Sequence, residues 1–163
     1  CLKEEDVWKF HNYEAIIIDT PGHTIGHIAF YFKSEKVLFT GDTLFSLGCG
    51  RLFEGTAEMM WNSINKLRSL PDDTMIYCGH EYTESNAKFL NSIYNNELIV
   101  EKMNQLKEIR KSNIPSVPTT LSEEKKLNIF LQADNQEIKK ILNMPTSSSK
   151  EIFKKLRSLK DNF

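Results

Sequence analysis

A chain of 163 residues, 40% hydrophobic and 26% charged, is long enough to bury one respectable core or two small ones and has the composition of an ordinary soluble globular protein. A net charge of -1 gives no electrostatic reason to expect nucleic acid or a membrane surface as partner. No apolar run approaches the ~18–20 residues that span a bilayer, and no signal-like n-region and h-region opens the chain, so cytoplasm is the default expectation.

In chain order, residues Glu14 to Asp19, Ile28 to Phe32 and Lys36 to Phe39 read as strands, with Lys33-Ser34-Glu35 as a hairpin loop between the last two. Thr56 to Leu70 reads as a helix: Met60, Ile64 and Leu67 recur at i, i+4 and i+7 as its inward stripe, and Pro71 stops it. Thr74 to Cys78 is a further short strand. All seven glycines lie between Gly22 and Gly79, which places tight turns and strand ends in the first half of the chain alone.

Beyond about Thr83 the pattern is helical. Ile99, Met103, Leu106 and Ile109 share a face, and Thr120 with Glu123, Asp134 with Glu137 and Ser148 with Glu151 each fit a capping box. Ile114-Pro115-Ser116-Val117-Pro118 is a stiff connector, since each proline biases its predecessor away from helical geometry. The last helix starts near Ser149 and points Ile152, Leu156, Leu159 and Phe163 at the core. The expected architecture is α/β, the second half of a layered sandwich over residues 1–82 followed by a small helical domain over 83–163. There is no internal repeat.

Three cysteines, Cys1, Cys49 and Cys78, with no C-x-x-C spacing, indicate neither a disulfide framework nor a zinc knuckle, and they are read as bystander thiols. Chemistry is suggested elsewhere. Phe39-Thr40-Gly41-Asp42-Thr43 ends an apolar run on a carboxylate set among small residues. Thr20-Pro21-Gly22-His23 and Tyr77-Cys78-Gly79-His80 each put a histidine after a short apolar run and a glycine. Singly, a Gly-Asp pair reads as a turn and a lone histidine as structural. Together, three strand ends would present His23, Asp42 and His80 to one rim of a sheet, where a borderline-soft divalent ion takes imidazole nitrogen and carboxylate oxygen.

These segments resemble the glyoxalase II family, the hydroxyacylglutathione hydrolases of the metallo-β-lactamase fold. T-P-G-H-T-x-G-H, F-T-G-D-T-L-F, G-C-G-R-L-F-E-G and C-G-H-E-Y-T occur in family order, and the similarity continues to the final R-S-L-K-D-N-F. The fold implied is the second half of a metallo-β-lactamase-type αββα sandwich with a helical, glutathione-binding C-terminal domain. The family's H-x-H-x-D-H metal-binding loop does not occur in these 163 residues, and a first residue that is Cys rather than Met fits a C-terminal fragment of such an enzyme. A separately encoded N-terminal half is then an expected partner, and the sheet is expected to show an uncovered edge.

The resemblance implies that His23 completes one metal site, Asp42 bridges two divalent ions (zinc, with iron or manganese as alternatives) and His80 completes the second site, while His27 supports rather than ligates. No side chain is implied as nucleophile; the attacking group is hydroxide held between the ions. The implied reaction is hydrolysis of S-D-lactoylglutathione to glutathione and D-lactate. Arg51, Tyr82, Arg157 and Lys160 match glutathione-contacting positions, and Phe53 stands where some relatives carry a tyrosine. The i, i+3 spacing of Arg157 and Lys160 puts both on one helix face; without the resemblance they would read as a solvated edge. Two donors per ion fall short of the usual three, so partial or no metal occupancy and little activity are expected of the chain alone. Alternatives are another metallo-β-lactamase-fold hydrolase, a persulfide dioxygenase using iron, or a non-catalytic remnant that retains only a grip on glutathione. His11 shows no motif and is expected to be exposed.

Overall fold

Alternating apolar residues in the first half and helical periodicity in the second give the elements in chain order. The computed structural model describes residues 1–94 and 96–163. They hold β1 (Val7–Phe10), β2 (Tyr13–Asp19), β3 (Ile28–Phe32), β4 (Val37–Gly41), β5 (Leu44–Phe45), β6 (Gly48–Cys49), α1 (Ala57–Arg68), β7 (Met75–Cys78), α2 (Thr83–Ile93), α3 (Glu97–Lys111), β8 (Thr119–Thr120), α4 (Leu121–Leu127), a 3-10 turn at Ile129–Gln132, α5 (Gln136–Ile141) and α6 (Ser149–Asp161). Among the described residues no helix is long and apolar enough to cross a membrane.

Six strands form one sheet in the order β1-β2-β3-β4-β7-β8. Strands β1 to β4 are an antiparallel meander, β7 joins β4 in parallel, and β8 closes antiparallel on β7. It follows that β2, β4 and β7 run in one direction, so their carboxyl ends share an edge of the sheet, where α/β proteins usually place ligands. One face of the sheet carries Ile18, Ala29, Tyr31, Leu38 and Ile76 and packs on α1, whose expected stripe of Met60, Ile64 and Leu67 is fully buried. Thr56 caps that helix by accepting from the Met59 N–H.

The opposite face carries a run of aromatic rings. Phe30, Phe39 and Tyr77 lie side by side in the register of β3, β4 and β7, with Trp8 and Phe32 against them. Phe39 and Tyr77 remain 45% and 37% exposed. Exposure expected at an edge of the sheet is therefore found on a face as well as along β1, where Val7 and Phe10 are open. Strand β1 itself was not expected, because its four residues alternate too briefly to signal a strand.

Packing does not divide at residue 82. The core continues from the sheet and α1 through Phe89 and Leu121 to Phe130, Phe153 and Leu156, and β8 adds a strand to the sheet from the expected helical domain. Three caps differ in detail. Ser148 and Glu151 make a full capping box. Thr120 caps α4, but Glu123 turns to Lys102 and Thr119 instead of back to the cap. Asp134 does not cap α5: its carboxylate is held bidentately by Arg68 at 2.8 and 2.7 Å, and Asn135 caps in its place. Phe163, expected to face the core, is 62% exposed and touches it through the edge of Phe89. His11 is exposed as expected, in the β1–β2 turn.

Among the described residues one carboxylate is fully buried in the core: Glu124 of α4, which accepts from the Leu47 N–H, Asn128 Nδ2 and Thr119 Oγ1. Burial pushes its carboxyl from the usual 4.5 up to about 7 against the pull of those three hydrogen bonds, and the neighbouring Glu123 carboxylate adds to the rise. A folded protein that binds this proton more readily than the unfolded chain gains stability that is fully present below about 4.5 and is lost as pH climbs through about 7. Urea unfolding across that window should show the parent losing on the order of 3 kcal/mol relative to E124Q, whose amide does not titrate; a pH-independent difference would contradict the assignment.

Candidate metal centre and cleft

The shared edge of β2, β4 and β7 carries the three expected metal ligands. Asp42 follows β4 directly, after Gly41 in the left-handed region at φ +49°, where a Cβ would lie 2.7 Å from the His27 ring. Its two oxygens face different imidazoles: Oδ2 lies 3.5 Å from His23 Nε2, and Oδ1 lies 3.3 Å from His80 Nε2. Two donors on one tetrahedral ion with bonds near 2.0–2.1 Å sit about 3.3 Å apart, so the spacing of each pair is compatible with two ligands of a common ion.

His23 is oriented for that task. Its Nδ1–H donates to the Arg51 carbonyl at 2.8 Å, which fixes the tautomer and leaves the Nε2 lone pair toward Asp42. The turn that holds it is strapped by Phe53 and Glu54, whose N–H groups donate to the His23 carbonyl at 3.2 and 3.3 Å. His80, at the end of β7, stacks on Tyr82 with centroids 4.9 Å apart and also meets the Phe45 ring. His27 stands behind Asp42: the Asp42 N–H donates to its Nε2 at 3.0 Å, so its Nδ1–H is left to donate to the Thr20 and Thr43 hydroxyls. Burial is the main influence lowering the His27 pKa, with Asp42 opposing and His23 assisting, which keeps this ring a neutral acceptor for the Asp42 amide.

The donor set therefore fits divalent ions in chemistry and tautomer. It is incomplete in number, since no group of three or more His, Cys, Asp or Glu side chains is spaced to hold one ion among the described residues. Each ion would draw one imidazole and one Asp42 oxygen from this chain.

All seven expected site residues line one cleft of about 660 Å³, but they present themselves differently. Arg51 is exposed, with Nε 4.0 Å from Asp161. Lys160 lies across the Phe89 and Phe163 rings and donates to the Ser85 carbonyl and hydroxyl at 3.2 Å. Its pKa is lowered by burial first and then by Arg157 and Arg51. Arg157 is neither a solvated edge nor a free grip: it is 4% exposed, donates to the Cys49 carbonyl at 2.7 Å and is held by Asp161 at 3.0 and 3.2 Å. Sequence reasoning passed over Asp161 although its i+4 spacing from Arg157 was available. It also passed over Gly50, whose backbone sits so close to Asp42 that a Cβ would meet the Asp42 carbonyl oxygen at 1.9 Å.

A family model described as hydroxyacylglutathione hydrolase C-terminus matches residues 81–163, and one for the metallo-beta-lactamase superfamily matches residues 14–80. A hydroxyacylglutathione hydrolase of Bartonella henselae is 47% identical over 99% of this chain, and the chain spans 64% of the length of that relative. In that relative the matched region lies within one longer polypeptide, which gives no support to a separately encoded half. Among solved structures, ETHE1 from Myxococcus xanthus superposes with a TM-score of 0.60 at 22% identity, covering 96% of this chain and 50% of its own. The BLEG-1 B3 metallo-beta-lactamase does so with a TM-score of 0.55 at 26% identity, covering 80% of this chain and 47% of its own. The fold is thus the metallo-β-lactamase one, a superfamily that binds divalent metal.

Replacing Gly50 with Ala should destabilise the protein by about 1–3 kcal/mol in urea unfolding, because the Asp42 backbone must move to admit the methyl group. Gly26→Ala, where a Cβ would meet nothing within 4 Å, should be near neutral; equal effects from both would refute the close approach at Gly50.

Proposed function

The chain belongs to the hydroxyacylglutathione hydrolase family of the metallo-β-lactamase superfamily, and on that premise we propose that it carries the shared portion of a dinuclear hydrolytic centre together with the cleft for a glutathione thiolester. The reaction served is hydrolysis of S-D-lactoylglutathione to glutathione and D-lactate. The observation that carries this reading is Asp42 set between two imidazoles in the same cleft as Arg51 and Lys160.

His23, Asp42 and His80 would hold the ions, zinc being the first candidate and iron or manganese the alternatives. Divalent ions bound there supply Lewis acidity, polarising a thiolester carbonyl and bringing the pKa of water from 15.7 to about 7. The side chains of this protein do the remaining work. Arg51 and Lys160 offer cations to the carboxylates of the tripeptide, and Arg157 backs them by fixing the loop through the Cys49 carbonyl. Phe53, 4.8 Å from the His23 ring, and Tyr82, stacked on His80, wall the cleft on two sides. The departing thiolate, with a free-thiol pKa of about 8.5 as a guide, leaves without a protein acid.

Each ion receives two donors from this chain where catalytic zinc generally has about three, so the chain alone is proposed to bind metal weakly and singly and to turn over little thiolester. Equilibrium dialysis against zinc, manganese and iron, followed by a lactoylglutathione assay, should give less than one tightly held ion and no efficient turnover. Two tightly held ions or efficient hydrolysis would overturn this.

A second reading, a glutathione-binding module without turnover, is favoured by one observation: the cationic corner is built wholly within this chain while the metal centre is not. S-hexylglutathione titrated into the parent and into the R51A/K160A double variant distinguishes the cases. Binding that falls about tenfold in the variant supports recognition through those cations; unchanged affinity would remove it.

A further inference from the structure

The hairpin β5–β6 lies between Asp42 and Arg51, and residues 43–50 are buried throughout. Its strands are only two residues long, so they satisfy few of its backbone groups for one another. Side chains from the helical region meet five of the others. Asn128 Nδ2 donates to the carbonyls of Gly48 at 3.1 Å and Phe45 at 3.4 Å. Asn86 Nδ2 donates to the Ser46 carbonyl at 2.9 Å, and Arg157 to that of Cys49 at 2.7 Å. Glu124 Oε2 accepts from the Leu47 N–H at 2.8 Å, at a residue held in the left-handed region at φ 60°. Glu124 and Asn128 are also bonded to each other at 2.9 Å, one turn apart at the end of α4.

What this hairpin carries is the orientation of the metal-facing imidazoles. Gly50 N–H, just past β6, donates to the Thr43 carbonyl, and the next residue supplies the Arg51 carbonyl that fixes His23. Phe45, within β5, meets the rings of both His80 and Tyr82 at 6.0 and 5.3 Å. We infer that Glu124 and Asn128 are positioning residues for the centre: by holding the backbone of Phe45, Leu47 and Gly48 they keep the Arg51 carbonyl on His23 Nδ1 and the Phe45 ring against His80. Removal of the Glu124 acceptor leaves the Leu47 N–H buried and unpaired, which favours a hairpin shifted toward water. The inference rests on His23, Asp42 and His80 being the metal-holding set, but its consequence for His23 exists with or without metal.

The test therefore reads geometry on the 163-residue chain and needs neither metal nor turnover, so a failed hydrolysis assay leaves it standing. Nitrogen-detected NMR reports the His23 tautomer, and hydrogen exchange reports the amides of residues 45–50. In the parent His23 should be the Nδ1–H tautomer with the Leu47 amide protected. Glu124→Leu should accelerate exchange at Leu47 by about tenfold or more and mix the His23 tautomers, whereas Glu124→Gln, which retains an acceptor for Leu47, should restore both. A folded Glu124→Leu protein with unchanged tautomer and exchange would overturn the inference, as would failure of Gln to rescue. Should Glu124→Leu not fold, Asn128→Ala decides: loosened exchange at Phe45 to Gly48 with a mixed His23 tautomer supports the assignment, and parental values refute it.

Discussion

Five consecutive residues, Phe45 to Cys49, are buried in a hairpin too short to satisfy its own backbone, and the rest of the molecule is arranged around that need. A buried N–H or C=O without a partner costs about 1–3 kcal/mol, and here the Leu47 N–H and the Ser46, Gly48 and Cys49 carbonyls are met by an amide, carboxylate or guanidinium brought from the helical region. The ionisable members of that set are themselves buried, which is tolerable only because their hydrogen-bonding groups are filled: Glu124 accepts three hydrogen bonds, and Arg157 is shared between the Cys49 carbonyl and Asp161. The sheet and the helices are consequently one packed body, with an apolar core and a polar seam running across the same junction.

The direction of the strands supplies the other half of the arrangement. Because β4 and β7 are parallel and β2 runs the same way, Asp42, His80 and His23 arrive at one edge from three positions distant in the chain. Gly41, Gly50 and Gly79 then let the backbone approach closer than any side chain would permit; a Cβ on Gly79 would lie 2.5 Å from Asp42 Oδ1. A loop that presents a carboxylate to two imidazoles at 3.3 and 3.5 Å leaves no slack for larger residues at those positions.

What was legible in the sequence was what depends on local pattern. Strand β3 was read to the residue, the α1 stripe was fully buried as expected, and His23, Asp42 and His80 did converge, because short motifs at strand ends encode their own geometry. What was not legible depends on partners far along the chain. Asp134 looked like a helix cap until Arg68, 66 residues away, took its carboxylate. Arg157 was expected among the glutathione contacts from the resemblance, and from its spacing alone at a solvated edge; only the fold shows its guanidinium under the hairpin. Glu124 and Asn128 carry no local signal at all, since nothing in their immediate neighbours announces a backbone some 80 residues upstream that lacks partners.

Those separations bear on how the chain comes to be assembled. Arg157 reaches back 108 residues to Cys49, and Glu124 reaches back 77 residues to Leu47. Whichever elements form first, the loop beside Asp42 has no complete set of partners until α4 and α6 have docked on it. Contacts this distant repay the chain only after long loops have closed, so the edge that carries Asp42 sets late in folding, with α6 as its latch.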